Sequence, residues 1–172
     1  MWAGAAWIGG GSELRTDVDV PAGKIESARA YTAGVGVMEL HLNGAKVADH
    51  YCDPGEAVYD QKILYLSFNV SSLLKAGSSN AIGARLGNSK WGYLDIYSNR
   101  TKHADQSGDS SRAFRMALVV TMADGTTHTF KTTPAGKVSP AARLSWNLGP
   151  SILLPICRNL SRLSPQNSHR RF

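Results

Sequence analysis

The chain has 172 residues, of which 42% are hydrophobic and 19% are charged, and this composition excludes a disordered protein. The net charge of +6 would suit a nucleic-acid binder, but residues 151–172 contain four arginines and no acidic residue, so the first 150 residues are nearly neutral. Those residues carry no basic stripe, and we therefore expect no nucleic-acid partner.

Membrane and secretory segments are also not expected from the sequence. No apolar run approaches the roughly 18 residues that a membrane helix needs. Residues 1–11 lack the basic start and the apolar length of a signal peptide. We therefore expect a soluble protein without a membrane partner, whose compartment the sequence does not indicate. The two cysteines, Cys52 and Cys157, match neither a disulfide framework nor a zinc motif and are interpreted as free thiols.

The first third of the chain alternates between apolar and polar residues with a period of two. This pattern predicts strands over residues 14–20, 24–33 and 38–42. Asn43-Gly44 then predicts a two-residue hairpin, because both residues tolerate positive φ, and residues 45–49 are the expected returning strand. Asp53-Pro54-Gly55 indicates a loop.

The remaining segments continue in the same way. Strands are predicted over residues 62–68, 80–86 and 114–122, with one helical turn within residues 69–77. Asp124-Gly125 predicts a second hairpin into residues 127–132, and residues 144–146 form a candidate last strand. Many short strands with almost no helix indicate an all-β jelly roll or β-sandwich. We expect one domain over residues 1–150 and an irregular, basic, poorly ordered tail over residues 151–172.

No catalytic motif is found in the sequence. Nucleotide loops and a nucleophile elbow are missing, and Asp105, Ser107 and Asp109 lack the later residues of a calcium loop. The acidic residues near Pro54 are more typical of turns than of a glycosidase pair. His41 lies on the polar side of its strand, where a satisfied or solvent-facing histidine is the expected role.

The long Gly-, Ser- and Asn-rich loop after residue 86 is the best candidate for a binding site. Carbohydrate sites combine aromatic rings, which stack on the sugar, with side chains that hydrogen-bond its hydroxyls. Trp91 and Tyr93 supply such rings, and Asn88 and Asp95 supply such polar groups. Tyr59 and Asp60 form a similar pair. The alternative is that Trp91 covers the edge of the core, and packing is the expected role of Trp2, Trp7 and Trp146.

The order of these segments resembles the N-terminal β-sandwich domain of bacterial-type α-L-rhamnosidases. The resemblance rests on a series of short motifs in the family's order, none of which is specific alone. They are WIGG from Trp7, LR at Leu14, ARAYTAGVGVMELHLNGAKVAD from Ala28, DPGEAVYD from Asp53, VSSLLKAGSSNAIGARLGNSKWGY from Val70, FRMALVVTMADGT from Phe114 and LSWNLGPSI from Leu144. Departures occur at Met38, where the family often has an aromatic residue, and in the NSKWGY segment.

The resemblance implies a galactose-binding-like jelly roll that is not catalytic. Its implied role is to recognise rhamnose-containing glycans or to support the catalytic domain of the same family. The resemblance ends near Ile152, so we expect a chain truncated before the catalytic (α/α) barrel, without catalytic residues and inactive alone. No cofactor is expected, although some relatives bind rhamnose through calcium, and that site does not map onto residues of this sequence.

Two other hypotheses belong to different classes of protein. The chain would be a complete small glycosidase acting on rhamnosides if a cleft held two suitably spaced carboxylates. It would be a ligand-free structural or interaction sandwich if an apolar patch replaced a polar aromatic groove.

Overall fold

The computed structural model describes residues 2–9, 13–55, 57–59, 61–87 and 112–133. The described strands are Ile8–Gly9 (β1), Glu13–Val20 (β2), Ile25–Val35 (β3), Val37–Leu42 (β4), Ala45–Lys46 (β5), Tyr65–Asn69 (β6), Ser78–Gly87 (β7), Ala113–Met122 (β8) and Thr127–Lys131 (β9). A 3₁₀ turn over Ser71–Leu73 is the only helical element among them. None of the described residues belongs to a helix that is long and apolar enough to cross a membrane.

The strands form two sheets in which every described pairing is antiparallel. The five-stranded sheet has the order β1-β8-β3-β6, with β9 also paired to β8. The four-stranded sheet has the order β2-β7-β4-β5. The prediction of an all-β sandwich is confirmed.

One hydrophobic core lies between the two sheets. Successive side chains of a strand point to opposite faces, so one residue in two is buried. On β8 the inward residues are Phe114, Met116, Leu118, Val120 and Met122, and each is at most 4% exposed. The four-stranded sheet contributes alternating residues of β4 and β7: Met38, Leu40, Leu42, Ile82, Ala84 and Leu86.

The predicted hairpins are confirmed. Asn43 and Gly44 have φ values of 48° and 90°, and Gly125 has a φ of 85°. The returning strand β5 is only two residues long, because the chain leaves the sheet after the hydrogen bond from Val47 N to Leu40 O. Strand β3 runs past its predicted end at residue 33, because Gly34 still pairs with Phe114.

Other predictions differ from the structure or lie outside it. Cys52 is disulfide-bonded, so the prediction of a free thiol there is wrong, since the spacing of cysteines in a sequence does not show whether they pair. Strand β6 begins at Tyr65 rather than at residue 62, because backbone bonds from residues 61 and 62 to Val58 O form a turn. The predicted strand at residues 144–146, the boundary at residue 150 and the tail lie outside the described residues.

Candidate functional site

A cleft of ≈ 390 Å³ lies on the outer face of the five-stranded sheet. We call it the aromatic cleft because four of its lining residues are tryptophan or tyrosine. Its lining residues are Trp2, Trp7, Ala33, Tyr59, Gln61, Lys62, Ile63, Tyr65 and Arg115. The volume falls within the range of roughly 300–1,000 Å³ that is typical of small-molecule sites.

The floor of the aromatic cleft is a row of three residues on neighbouring strands. Ala33 on β3 lies directly opposite Tyr65 on β6 and Arg115 on β8. Directly opposed residues of antiparallel strands project from the same face. The small Ala33 therefore leaves a depression between two large side chains, and the depth of the cleft follows from the strand register.

The N-terminal segment forms one wall through its two tryptophans. The Arg115 guanidinium lies 5.3 Å from the ring centroid of Trp2 and 5.9 Å from that of Trp7. Arg115 Nη2 also donates to the carbonyl oxygen of Trp2 at 2.6 Å. The rings of Trp2 and Tyr65 meet edge to face at 6.1 Å. Both distances to Arg115 are within the range of cation–π attraction, so the wall and the floor stabilise each other.

This wall is attached to the sheet edge by hydrogen bonds. Ala6 N donates to Thr132 O at 2.8 Å, and Thr132 Oγ1 donates to Ala6 O at 2.6 Å. Lys131 Nζ donates to Ala3 O at 2.6 Å. These bonds and the pairing of β1 with β8 hold the segment along the sheet, so the tryptophans lie on the surface rather than in the core.

The opposite wall is the loop that precedes β6. The Tyr59 hydroxyl accepts a hydrogen bond from Gly36 N at 3.3 Å, which orients its ring relative to the β3–β4 connection. Gln61, Lys62 and Ile63 follow as exposed side chains. The aromatic cleft therefore has apolar rings on both walls and amide, ammonium and guanidinium donors at its rim and floor.

The sequence-predicted site residues divide into two groups. Tyr59 lines the aromatic cleft. Its predicted neighbour Asp60, together with Asn88, Trp91, Tyr93 and Asp95, lies outside the described residues, so their role in sugar binding stays a prediction.

The structure adds Trp2, Trp7, Tyr65 and Arg115 to the candidate site. Trp7, for which packing is the expected role, is 40% exposed, and its ring centroid lies 5.9 Å from the Arg115 guanidinium. A signal was present in the WAGAAW segment, where two tryptophans flank small residues. That segment could be assigned to a site only once its course across β8 was known.

A second polar cluster lies on the outer face of the four-stranded sheet. Glu39 Oε1 is 2.6 Å from His41 Nε2, and Glu39 Oε2 is 3.1 Å from Lys46 Nζ. Burial raises the pKa of Glu39, but the hydrogen bonds from His41 and Lys46 outweigh it, and the pKa is lowered overall. His41 is buried and hydrogen-bonded, which confirms the expected satisfied histidine.

The described residues do not fit a metal ion. Within the described ranges, no three histidine, cysteine, aspartate or glutamate side chains converge. Asp53 Oδ2 lies 3.4 Å from His50 Nδ1. Calcium prefers six or more oxygen ligands, which this pair does not supply. The calcium dependence that the family resemblance implies therefore stays untested, with no residues assigned to it.

Comparison with known proteins gives consistent matches. The family model described as alpha-L-rhamnosidase N-terminal domain matches residues 23–145. An alpha-L-rhamnosidase of Formosa agariphila is 31% identical over 107 residues, which are 62% of this chain and 11% of that protein. One of Streptomyces avermitilis is 33% identical over 73 residues, 42% of this chain and 7% of that protein.

Solved structures of alpha-L-rhamnosidases share the fold. The Streptomyces avermitilis enzyme, solved in complex with L-rhamnose, has a TM-score of 0.58 and 27% identity, covering 76% of this chain and 12% of that chain. The Dictyoglumus thermophilum enzyme has a TM-score of 0.57 and 27% identity, covering 70% of this chain and 12% of that chain. The chain thus spans about a tenth of the length of the relatives it matches.

Proposed function

The chain belongs to the family of alpha-L-rhamnosidase N-terminal domains, and from this premise we propose that it is a non-catalytic accessory domain that recognises carbohydrate. Its partner would be a catalytic domain of the same family. The observation that carries the proposal is the aromatic cleft on a sandwich whose relatives are glycoside hydrolases. An accessory domain that holds a glycan raises its local concentration at the catalytic domain.

The chemistry of the aromatic cleft suits a pyranose. A sugar ring presents a C–H face that stacks on an indole or phenol ring, and its hydroxyls need hydrogen-bond donors and acceptors. Trp7 and Tyr65 supply exposed rings, being 40% and 55% exposed. Gln61 supplies an amide at the rim. Stacking and hydrogen bonding are thus both available within one cleft.

We further propose glycans that contain L-rhamnose as the ligand class. Rhamnose is a 6-deoxyhexose, and its methyl group adds apolar surface that side chains such as Ile63 and Ala33 would cover. The Streptomyces avermitilis neighbour was solved with L-rhamnose bound. This ligand class is therefore the first to test.

The test is calorimetric titration of the full chain with a neutral rhamnosyl oligosaccharide, with and without added calcium. We expect saturable binding that Trp7→Ala weakens by about tenfold or more, because one stacked ring contributes on the order of 1–2 kcal/mol. Tyr51→Ala is the matched control, because Tyr51 is 59% exposed but does not line the aromatic cleft. Trp91→Ala tests the loop prediction in the same series.

Hydrolysis is measured in parallel with an aryl α-L-rhamnoside. We expect no turnover by the chain alone. Turnover that survived purification would contradict the non-catalytic role and favour a small glycosidase. No binding of any rhamnosyl glycan would contradict the carbohydrate-recognition role and leave structural support of the catalytic domain as the function.

A further inference from the structure

The outer face of the five-stranded sheet is positively charged, although the first 150 residues of the chain are nearly neutral. Arg29 on β3, Arg115 on β8 and Lys131 on β9 occupy outward positions by the strand register. Lys62 joins them at the rim of the aromatic cleft. The outward positions of β3, β6, β8 and β9 contain no aspartate or glutamate, and the one acidic residue in these strands, Glu26, lies at the bulge of β3.

The acidic residues are concentrated on the opposite sheet. Its outward positions carry Glu13, Asp17, Asp19 and Glu39 together with Arg15, Arg85 and Lys46. Among the described residues, all of these charges except Asp19 are in ion pairs, as in Arg15 Nη2–Asp17 Oδ1 at 3.1 Å and Arg85 Nε–Glu13 Oε1 at 3.5 Å. Within the described part of the chain, Arg29, Lys62, Arg115 and Lys131 form no ion pair. The outer face of the four-stranded sheet therefore carries mostly ion-paired charges, whereas the outer face of the five-stranded sheet carries cations without ion pairs among the described residues.

We propose that the aromatic cleft selects carbohydrates that carry an anionic group, a uronosyl carboxylate or a sulfate ester, beside the sugar ring that stacks on its aromatic walls. The inference rests on the proposed carbohydrate-recognition function and names its ligand class more closely. A neutral sugar would use the rings alone. An anionic sugar also uses the cations at the floor and the rim.

Arg115 is positioned to bind the anion. Its guanidinium has five N–H donors, and the described residues accept from Nη2 alone, through the carbonyl oxygen of Trp2. Its buried Nε has no acceptor among the described residues. Donors left at the floor of a cleft favour a ligand that accepts hydrogen bonds, and a guanidinium prefers the paired oxygens of a carboxylate or sulfate.

Lys62 and Arg29 extend the charge beyond the floor. Lys62 is an exposed residue of the loop wall, so its ammonium can reach a ligand at the rim. Arg29 lies four residues before Ala33 on β3, which is about 13 Å along the strand. A longer glycan with a second anionic residue would therefore meet a second cation on the same face.

The experiment compares two pairs of ligands, and the main difference within each pair is charge. One pair is a rhamnosyl-uronic acid disaccharide and its methyl ester, and the other is a sulfated rhamnoside and its unsulfated form. We expect the acid to bind the full chain about tenfold or more tighter than its ester, with the advantage reduced at 0.5 M salt because exposed charge contacts are screened. The sulfated pair shows whether sulfate replaces the carboxylate.

Two variants locate the effect. Arg115→Gln and Lys62→Gln are each expected to reduce the acid-to-ester ratio toward one. Arg85→Gln is the matched control, because it removes the same charge from the paired face and should leave the ratio unchanged. The side chain of Lys62 makes no hydrogen bond or ion pair within the described part of the chain, so its variant remains informative if Arg115→Gln fails to fold.

The outcomes separate this inference from the proposed function. Equal binding within both pairs, acid with ester and sulfated with unsulfated rhamnoside, overturns the anionic selectivity while leaving carbohydrate recognition intact. Binding of neither ligand overturns both. If Arg85→Gln lowers the acid-to-ester affinity ratio as much as Lys62→Gln does, the net charge of the protein causes the preference for the acid, and the assignment to the aromatic cleft is overturned.

Discussion

Asn43 Nδ2 donates a hydrogen bond to Asn80 Oδ1 over 2.8 Å, which joins a hairpin turn to a strand 37 residues later. Asn43 Nδ2 also donates to Leu73 O, and Asn43 Oδ1 accepts from Ala81 N. Asn80 is fully buried, and its side chain makes three further bonds to the backbone of Lys75 and Ser78. The two amides thus satisfy the backbone groups where β4, β7 and the 3₁₀ turn meet.

Asn80→Ala should lower the free energy of unfolding by about 3 kcal/mol, because buried partners of Asn80 are left without hydrogen bonds. Urea unfolding measures the change. Asn69→Ala is the control. Like Asn80, Asn69 makes side-chain hydrogen bonds, two of them to Ser71, but Asn69 is exposed. Its expected cost is below about 1 kcal/mol. Equal costs at the two positions would contradict the importance of the buried network.

Gly36 should be far less tolerant of alanine than Gly125. Both have positive φ, 97° and 85°. A Cβ at Gly36 would lie 2.6 Å from Gly87 O, whereas a Cβ at Gly125 would have no described atom within 4 Å beyond its chain neighbours. Gly125→Ala should cost about 1 kcal/mol from backbone strain alone. Gly36→Ala should cost about 2 kcal/mol more, because backbone must move. Thermal melting compares the pair, and equal losses would contradict the close approach.

Glu39 should make the protein less stable in acid. Its folded pKa is lowered from the ordinary value of 4.5, so it contributes stability above about pH 4.5 that is lost as the pH falls through the folded pKa. Glu39→Gln should therefore flatten the loss of unfolding free energy between pH 5 and pH 3, measured by urea unfolding at each pH. An unchanged slope would contradict the ion-paired Glu39.

Asp53 should have the opposite effect on the pH dependence of stability, and it therefore serves as the control for Glu39. Burial raises its folded pKa above the ordinary value of 3.8, although His50 opposes this. The folded state then binds the proton more readily than the unfolded chain, so the contribution of Asp53 becomes more favourable as the pH falls through the folded pKa. Asp53→Asn should therefore make the unfolding free energy fall more steeply between pH 5 and pH 3, whereas Glu39→Gln should make it fall less steeply.

Thr132→Val should loosen the N-terminal wall of the aromatic cleft. Thr132 is 8% exposed, and its hydroxyl donates to Ala6 O and accepts from Met116 N. Valine keeps the shape but not these bonds, so we expect a loss of about 1–2 kcal/mol in unfolding free energy. Trp2 and Trp7 should become less well held, so glycan affinity should fall as well.

Thr129→Val is the matched variant on the same strand, because Thr129 is exposed and outward. It should change neither stability nor affinity measurably. A loss of stability in Thr132→Val without any loss of affinity would contradict the role of the N-terminal wall in binding.

Most strands could be predicted because their patterns are local. The alternation of Met38, Leu40 and Leu42 with Glu39 and His41 indicates one buried face whatever the strand packs against. Asn43-Gly44 and Asp124-Gly125 specify hairpins through backbone conformations that few residues adopt. The family could be identified for the same reason, because its motifs follow the chain in order.

The aromatic cleft could not be predicted, because its parts are brought together by pairings distant in sequence. Tyr65, Ala33 and Arg115 become neighbours only through the order β6-β3-β8, and Trp2 reaches them because its segment crosses the edge of that sheet. The periodicity of a strand indicates which residues share a face but not which strand lies beside it.

The positive charge on the outer face of the five-stranded sheet also arises from pairings between strands that are distant in sequence. In the sequence, the first 150 residues carry nearly equal numbers of acidic and basic side chains, which suggests a neutral surface. The period of two and the hairpins are set by each segment's own backbone and side chains, so the amino-acid sequence determines them directly. Three features depend instead on which strands pair: the cationic face, the hydrogen bond between Asn43 and Asn80, and the aromatic cleft. The local patterns allow many strand pairings, and the burial of one shared core selects among them.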